Sequence, residues 1–460
     1  MYIEQIYTSC LAEAAYYIES DGEAVIIDPI RETSPYREIA MKRGAKIKYV
    51  FETHFHADFV SGHIDLARET GAKIVFGPHA FPQYDTYQAI DGEIFDIGKL
   101  KIKVLHTPGH TLESSCFLLF DEQGKETAIF TGDTLFVGDV GRPDLLDGTM
   151  SKEEMAAMMY DSLNNKIKVL PDNVIVYPAH GPGSSCGKNI GKETWSTIGQ
   201  QKNTNYALAN IGKAEFVNML THGLSPAPAY FFSDARINKN GYDSLDNVMD
   251  RNNKALSVEE FSKEIELGVI ILDTRINNVF EKGFIKGAIN IGLDGTFAVW
   301  VGTIIDINKS IVIVADKGKE EESILRLARV GYEKVKGYLS GGIENWLKEG
   351  KQVEKISSIN ANEFAQKLGK GYKVLDVRKM SEVENGSVEG AIHISLNDLE
   401  KSFSSLDKNE TYMIHCAGGY RSMIAGSILK AKGFSKLYNV YGGFSKIKET
   451  KVPIVSIAKV

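Results

Sequence analysis

Cysteine is scarce in this chain. Four in 460 residues (Cys10, Cys116, Cys186 and Cys416) are too few for a disulfide framework. A reducing cytoplasm is therefore the expected location, and a working cysteine is expected to act as a thiol. Positive charge is not in excess either. A net charge of −7 at pH 7 gives no field for nucleic acid or an anionic membrane. No apolar run approaches the roughly 18 residues of a membrane span. The opening Met1-Tyr2-Ile3-Glu4-Gln5 lacks the basic and apolar regions of a signal peptide. Neither nucleic acid nor membrane is thus an expected partner. What is present is an ordinary globular composition, 43% hydrophobic and 25% charged, which excludes wholesale disorder and collagen-like repeats. The length suggests about three domains.

Residues 1 to about 200 alternate short apolar strands with polar, glycine-rich turns. Examples are Ala24-Val25-Ile26-Ile27-Asp28, Ile74-Val75-Phe76-Gly77, Leu100 to Leu105, Ala128-Ile129-Phe130-Thr131 and Val174-Ile175-Val176-Tyr177. Helical periodicity appears between some of them, as in Lys152 to Leu163. From about 201 to 254 the pattern turns polar around a Pro-containing stretch at 225–228, which reads as a closing helix, an excursion and a linker.

The remaining half contains an internal repeat. Leu272-Asp273-Thr274-Arg275 is followed by Gly287-Ala288-Ile289-Asn290-Ile291, and the figure returns as Leu375-Asp376-Val377-Arg378 with Gly390-Ala391-Ile392-His393-Ile394. The Asp-to-Ala distance is fifteen residues in both copies. Each continues with a β-rich run (Ile311 to Val314; Tyr412 to Ile414), a helix, and a closing pair, Gly341-Gly342 or Gly442-Gly443. Strands alternating with helices over about 100 residues predict two small α/β domains with parallel sheets.

In the first half, four strand ends each deliver metal-ligand side chains. Phe51-Glu52-Thr53-His54-Phe55-His56-Ala57-Asp58 follows the apolar Ile47 to Val50. His110 stands just after a Pro108-Gly109 turn, Asp133 ends the run Phe130-Thr131-Gly132, and His180 follows Val176-Tyr177-Pro178-Ala179. Imidazole with carboxylate suits zinc, iron or manganese. His63 reads as packing or capping at a helix start, and His106 as a support for its loop. His79 and His222 read as surface or loop residues, and Cys10 and Cys116 as small core residues.

These segments resemble the metallo-β-lactamase superfamily over residues 1 to about 240, whose usual first motif is His-x-His-x-Asp-His. The chain departs at position 59, which is Phe where two-metal members carry the last His. A second metal would use Asp58, that missing His and His180, so the resemblance leaves its site one ligand short. Within the superfamily the segments are most similar to persulfide dioxygenases, which hold one ferrous iron with two histidines and an aspartate. Carried over, these are His54, His110 and Asp133. Two His and one carboxylate leave three open positions, enough for O2 and a sulfur substrate together. His56, Asp58 and His180 then become outer groups that hydrogen-bond ligands, waters or substrate. Arg142, in a Gly-Arg loop like the family's, is read either as a partner for an anionic substrate or as held by a structural carboxylate. Tyr177 is read either as a hydrogen-bond donor to bound persulfide or as a buried residue satisfying a neighbour. Cys186 is considered as a relay thiol facing the pocket.

In the second half, Cys416 leaves a strand into Ala417-Gly418-Gly419-Tyr420-Arg421, followed by an apolar-periodic helix from Met423 to Lys432. Strand, glycine-rich loop and helix aim backbone N–H groups and a helix N-terminus at the sulfur, which favours thiolate and creates a nucleophile. This resembles the rhodanese domain. Four residues separate Cys416 from Arg421, where the related phosphatases have five, which argues for sulfane-sulfur transfer over phosphate chemistry. Asp376 and Arg378 match the family's Asp-x-Arg and are expected to form a structural ion pair. The first copy has no Cys between 255 and 350, and alignment sets Asp316 where the thiol should be. It is expected to be structural or to serve in docking.

The expected architecture is an αββα metallo-β-lactamase sandwich over 1–245, then two small α/β rhodanese-like domains with parallel sheets. Of these, 255–351 is inert and 356–460 active. The expected activity is oxidation of a low-molecular-weight persulfide by O2 at one Fe(2+) per chain. It yields sulfite and thiol, and is coupled to sulfur transfer through a Cys416 persulfide that makes or uses thiosulfate. A homo-oligomer is compatible with this reading. The rivals are a zinc thioesterase of the glyoxalase II type and a non-catalytic sulfur carrier with a vestigial metal domain.

Overall fold

A computed structural model describes residues 1–145, 150–224 and 226–456. Residue 225 of the Pro-containing stretch and the last four residues of the 356–460 segment lie outside them. The chain separates into two compact units, Met1–Val248 with Ala328–Gly331, and Met249–Leu327 with Tyr332–Val460.

In the first unit two six-stranded sheets face each other. One runs in chain order through Tyr2–Thr8, Glu13–Ser20, Glu23–Ile27, Lys46–Glu52, Lys73–Phe76 and Tyr87–Gln88. The other runs through Ser196–Thr197, Ile175–Pro178, Glu126–Gly132, Ser115–Phe120, Leu100–His106 and Ile94–Ile97. Period-two alternation builds the layer between them. Tyr16, Ile18, Val25, Ile27 and Phe51 from one sheet meet Leu100, Ile102, Val104, Phe117, Leu119 and Phe130 from the other.

The opposite residues of the second sheet, Cys116, Leu118, Ile129 and Val176, pack under Ala156, Met159 and Leu163 of the helical layer. A sheet buried on both faces reads as continuous apolar runs, which is why these strands stand out in the sequence. Helix Lys152–Ser162 starts where Ser151 and Glu154 form a reciprocal capping box. Helices Ser34–Arg43 and His63–Thr70 adjoin strand Lys46–Glu52 of the first sheet, so the layers read αββα. Cys116 is core as expected. Cys10 is not, since it sits half-buried in the turn after Tyr2–Thr8.

The polar segment after 200 is helical rather than a linker. It forms Ile198–Thr204, Lys213–Thr221, Phe231–Asn240 and Leu245–Asn252. Phe216 and Leu220 fill the helix-covered core, and Asn238 donates to the carbonyls of His56 and Phe59. Asn205 likewise donates to the carbonyls of Phe136 and Asp139, so tertiary partners override the local propensity of asparagine in this segment.

The second unit contains two five-stranded sheets of the same order, with every pairing in both of them parallel. The repeat in sequence is thus a repeat in topology. Register corrects one expectation. Asp273 pairs with Val314 as Asp376 pairs with His415. Ala315, and not Asp316, therefore occupies the place of Cys416. The helix after Cys416 also begins earlier than its apolar period suggests. It spans Tyr420–Ala431, with Gly419 as its cap at φ 110°, so Tyr420 and Arg421 form its first turn. No described helix is long and apolar enough to cross a membrane.

Candidate metal centre and thiol loop

His54, His110 and Asp133 lie just beyond the ends of Lys46–Glu52, Leu100–His106 and Glu126–Gly132. They converge so that one ligand atom from each lies within 4.8 Å of the others. All three are buried, at 1%, 0% and 2% exposure. Hydrogen bonds fix which nitrogens are bare. His110 Nδ1 is 2.8 Å from the Arg142 carbonyl. A carbonyl only accepts, so Nδ1 carries the proton and Nε2 keeps its lone pair. Asp28 Oδ2 accepts from the Thr53 hydroxyl at 2.8 Å, so Thr53 Oγ1 in turn accepts from His54 Nδ1 at 2.9 Å. This leaves His54 Nε2 bare as well. Second groups of this kind set the tautomer of metal-binding histidines.

His110 Nε2 and both Asp133 oxygens have no hydrogen-bond partner. Buried polar atoms left unsatisfied are costly, and a cation among two imidazole lone pairs and a carboxylate removes that cost. The residues present therefore fit a metal ion. Burial, together with His56, His110 and His180, holds His54 well below the usual imidazole range, in its ligand-competent neutral form.

The loop that carries these groups is tightly packed. A Cβ on Gly141 would lie 2.2 Å from the Asp133 carbonyl oxygen and 2.8 Å from His110 Nδ1, so only glycine fits between two of the three donors.

His56 faces away from this set toward a buried acidic pair, with Nε2 at 3.1 Å from Asp28 and 3.6 Å from Glu52. Phe59, fully buried, lies against the His56 ring at 4.4 Å between centroids. The second donor group is fuller than the motif implied. Asp58, His180 and Cys186 bring ligand atoms within 4.8 Å of one another. His180 Nε2 lies 3.4 Å from Asp58 and 3.6 Å from Asp133. The imidazole of the motif's last position is absent as read, and Cys186 adds a third donor side chain beside Asp58 and His180. Burial, then Asp58 and Asp133, push the Cys186 thiol well up.

The remaining residues singled out in this unit fall away from the donor atoms. Arg142 grips Asp144 through Nε at 2.7 Å and Nη2 at 2.8 Å, and donates to the Ser185 carbonyl. Its guanidinium serves a carboxylate of this chain. Tyr177 stacks on Phe130 at 5.3 Å and meets Tyr16, which assigns its ring to the layer between the sheets. His63 bonds Tyr84, His106 bonds the Leu112 carbonyl in its own loop, and His79 and His222 are exposed. Asp28 went unnoticed in the sequence, although it ends a strand as the ligands do.

In the second unit Cys416 leaves strand Thr411–His415 and is 1% exposed. The Gly419 N–H donates to its sulfur at 3.1 Å, and Ser422 Oγ stands 3.6 Å away. The 12-residue helix Tyr420–Ala431 directs its N-terminus at the same loop. Asp376 and Arg378 form the expected buried pair, with contacts from 2.6 to 3.0 Å, and Asp273 and Arg275 form its twin. The Cys-free copy touches the thiol loop. Tyr420 donates to the Gly292 carbonyl at 2.7 Å, and Asn277 Nδ2 lies 3.5 Å from the Gly419 carbonyl.

The metallo-beta-lactamase superfamily model matches residues 9–180, and the rhodanese-like domain model matches 257–349 and 360–450. Among curated relatives, the mitochondrial persulfide dioxygenase ETHE1 of Homo sapiens is 30% identical over 209 residues, covering 45% of this chain and 74% of that protein. The probable hydroxyacylglutathione hydrolase glo2 of Schizosaccharomyces pombe is 32% identical over 172 residues, covering 36% of this chain. The chain spans 62% of that hydrolase's length and 60% of a second one from the same organism. A solved metallo-beta-lactamase from Staphylococcus aureus subsp. aureus COL is 32% identical with a TM-score of 0.66, covering 74% of this chain and 99% of that one. With the donor-bearing sandwich and the twin parallel sheets already in view, the chain belongs to the metallo-beta-lactamase superfamily, and two rhodanese-like domains follow that fold.

Proposed function

We propose that the chain is a persulfide dioxygenase joined to a sulfurtransferase, with His54, His110 and Asp133 in residues 1–245 holding one Fe(2+) and Cys416 in residues 356–460 carrying sulfur. The observation that carries this reading is the pair of bare imidazole nitrogens beside an unpartnered carboxylate, in a chain that also presents a cradled thiol. A ferrous ion in that group would supply redox chemistry that couples O2 to a reduced sulfur chain.

The balanced reaction is RSSH + O2 + H2O → RSH + HSO3⁻ + H⁺. The chain's own residues prepare it. Asp28 and Thr53 hold His54 in one tautomer, and the Arg142 carbonyl does so for His110. His180 Nε2, between Asp58 and Asp133, is placed to hold a proton released as the products form. Cys186, in contact range of the same group, is a relay thiol in this reading.

At the second site the Cys416 thiolate attacks the outer sulfur of a persulfide. The new Sγ–S bond forms as the donor's S–S bond breaks, and RS⁻ leaves. The Gly419 N–H and the helix N-terminus stabilise the sulfur anion before and after transfer. Attack of sulfite on the outer sulfur returns the Cys416 thiol and releases thiosulfate, and loading from thiosulfate is the reverse. The expected setting is the cytoplasm.

A second reading is favoured by one observation. Asp58, His180 and Cys186 offer a further donor group beside the first, as a two-metal thioester hydrolase requires. Hydroxyacylglutathione hydrolases are also among the relatives. Anaerobic purification, metal quantification and an oxygen electrode separate the two. One iron per chain with persulfide-dependent O2 uptake supports the dioxygenase. Two zinc ions, thioester hydrolysis and indifference to O2 refute it.

A further inference from the structure

Arg421 is the one cation in the segment from Cys416 to the first turn of the following helix. It does not stand open to a ligand. Both Glu382 oxygens clamp it, with Nη1 at 2.6 Å and Nη2 at 2.8 Å. The two-point fork is the strong, geometrically defined form of this pair. Glu382 is itself seated. Its Oε2 accepts the Lys379 N–H at 3.1 Å at the start of helix Met380–Glu384, and its carbonyl lies 3.3 Å from Arg378 Nη1. The pair is reachable from solvent, with the arginine side chain 16% and the glutamate 32% exposed. In the neighbouring Asp376–Arg378 pair the two charges offset each other.

The two copies provide an internal comparison. Four residues after Arg378 stands Glu382, whereas four residues after Arg275 stands Val279. The helix that follows Ala315 opens on Glu320, Glu321 and Glu322, so the copy without a thiol has neither the arginine nor its clamp. A pair needed only to hold the fold would be useful in both copies. This one accompanies the sulfur.

We propose that Glu382 is a specificity-determining residue that cancels the Arg421 charge at the Cys416 loop, so that a sulfane donor is the less favoured the more negative charge it carries, dianions least of all. The proposal rests on the sulfur-transfer reading of Cys416. It assigns low-charge persulfides as the fast loading partners and holds back exchange with thiosulfate and sulfite. Without Glu382, the uncancelled guanidinium would attract anions to the sulfur. One unit charge several ångströms away in a half-exposed site changes the reactivity of a monoanion by roughly tenfold.

The test uses the full chain and its Glu382→Gln variant, alkylated in parallel with iodoacetate and iodoacetamide. Rates are read on the Cys416 peptide by mass spectrometry and normalised to a free thiol. The expected result is a rise of roughly tenfold in the iodoacetate-to-iodoacetamide ratio. Thiosulfate:cyanide turnover should rise in kcat/KM, and both gains should shrink at high salt. An unchanged ratio, with iodoacetamide still modifying Cys416, overturns the proposal. Cys416 inert to both reagents overturns the nucleophile reading beneath it instead. Arg421→Gln supplies the opposite arm should Glu382→Gln fold poorly. There the ratio should fall below that of the parent chain, and a ratio that does not fall counts against the filter.

Discussion

His54 owes its bare nitrogen to residues outside its own donor group. Asp28 accepts both the Thr53 N–H, at 2.7 Å, and the Thr53 hydroxyl, and the hydroxyl then accepts from His54. Loss of such outer partners lowers metal affinity by about 10–100-fold. Asp28→Ala is expected to do the same, read by chelator competition on the folded protein. Removing a donor is more drastic. Asp133→Ala should abolish persulfide-dependent O2 uptake while thiosulfate:cyanide sulfur transfer persists, and loss of both would show that the sites are not separable. Cys416→Ser should do the reverse, with sulfite still formed. Asp376 has a different task. Removing it strands Arg378, only 3% exposed, without its partner. A buried ion pair broken on one side costs roughly 3–5 kcal/mol, so Asp376→Ala should lower the denaturation midpoint of the second unit by a matching amount.

At the scale of elements, strand ends and loop closures place the chemistry. Three strands deliver His54, His110 and Asp133 because each stops where the sheet stops, and the loop through Gly141 closes over two of them. In the second unit the Cys-free copy supplies a wall for the thiol loop. A Cβ on Gly295 would lie 2.4 Å from the Tyr420 ring. Gly295→Val should therefore push Tyr420 off the Gly292 carbonyl and disturb the first turn that carries Arg421. Sulfur transfer is expected to fall at least about tenfold with O2 uptake unchanged, because the misplaced groups are positioning elements of only one site. Equal loss of both activities would point to general unfolding.

At the scale of the whole molecule, the metal group and the thiol belong to separate compact units. Stripping metal anaerobically with a ferrous chelator should therefore silence O2 uptake and leave Cys416 chemistry intact. Restoring Fe(2+) should recover the former, and recovery with zinc alone would argue for the hydrolase.

The sequence alone determined the αββα and twin parallel-sheet architecture, because fully buried strands and a fifteen-residue repeat distance leave a direct imprint on residue order. The strand ends that carry His54, His56, Asp58, His110, Asp133 and His180 and the loop of Cys416 were legible too, since short strands ending in ligand residues are a local pattern, and the family resemblance then singled out His54, His110 and Asp133. Other features became visible only in the tertiary structure. Strand pairing put Ala315 rather than Asp316 opposite Cys416, because a register shift of one residue cannot be counted along a chain whose loops differ in length. Long-range packing brought Cys186 to Asp58 and His180, set Tyr177 in the core and folded the polar stretch after residue 200 into helices. A side chain's partner depends on which distant backbone lies opposite it, and residue order does not specify that until the layers close.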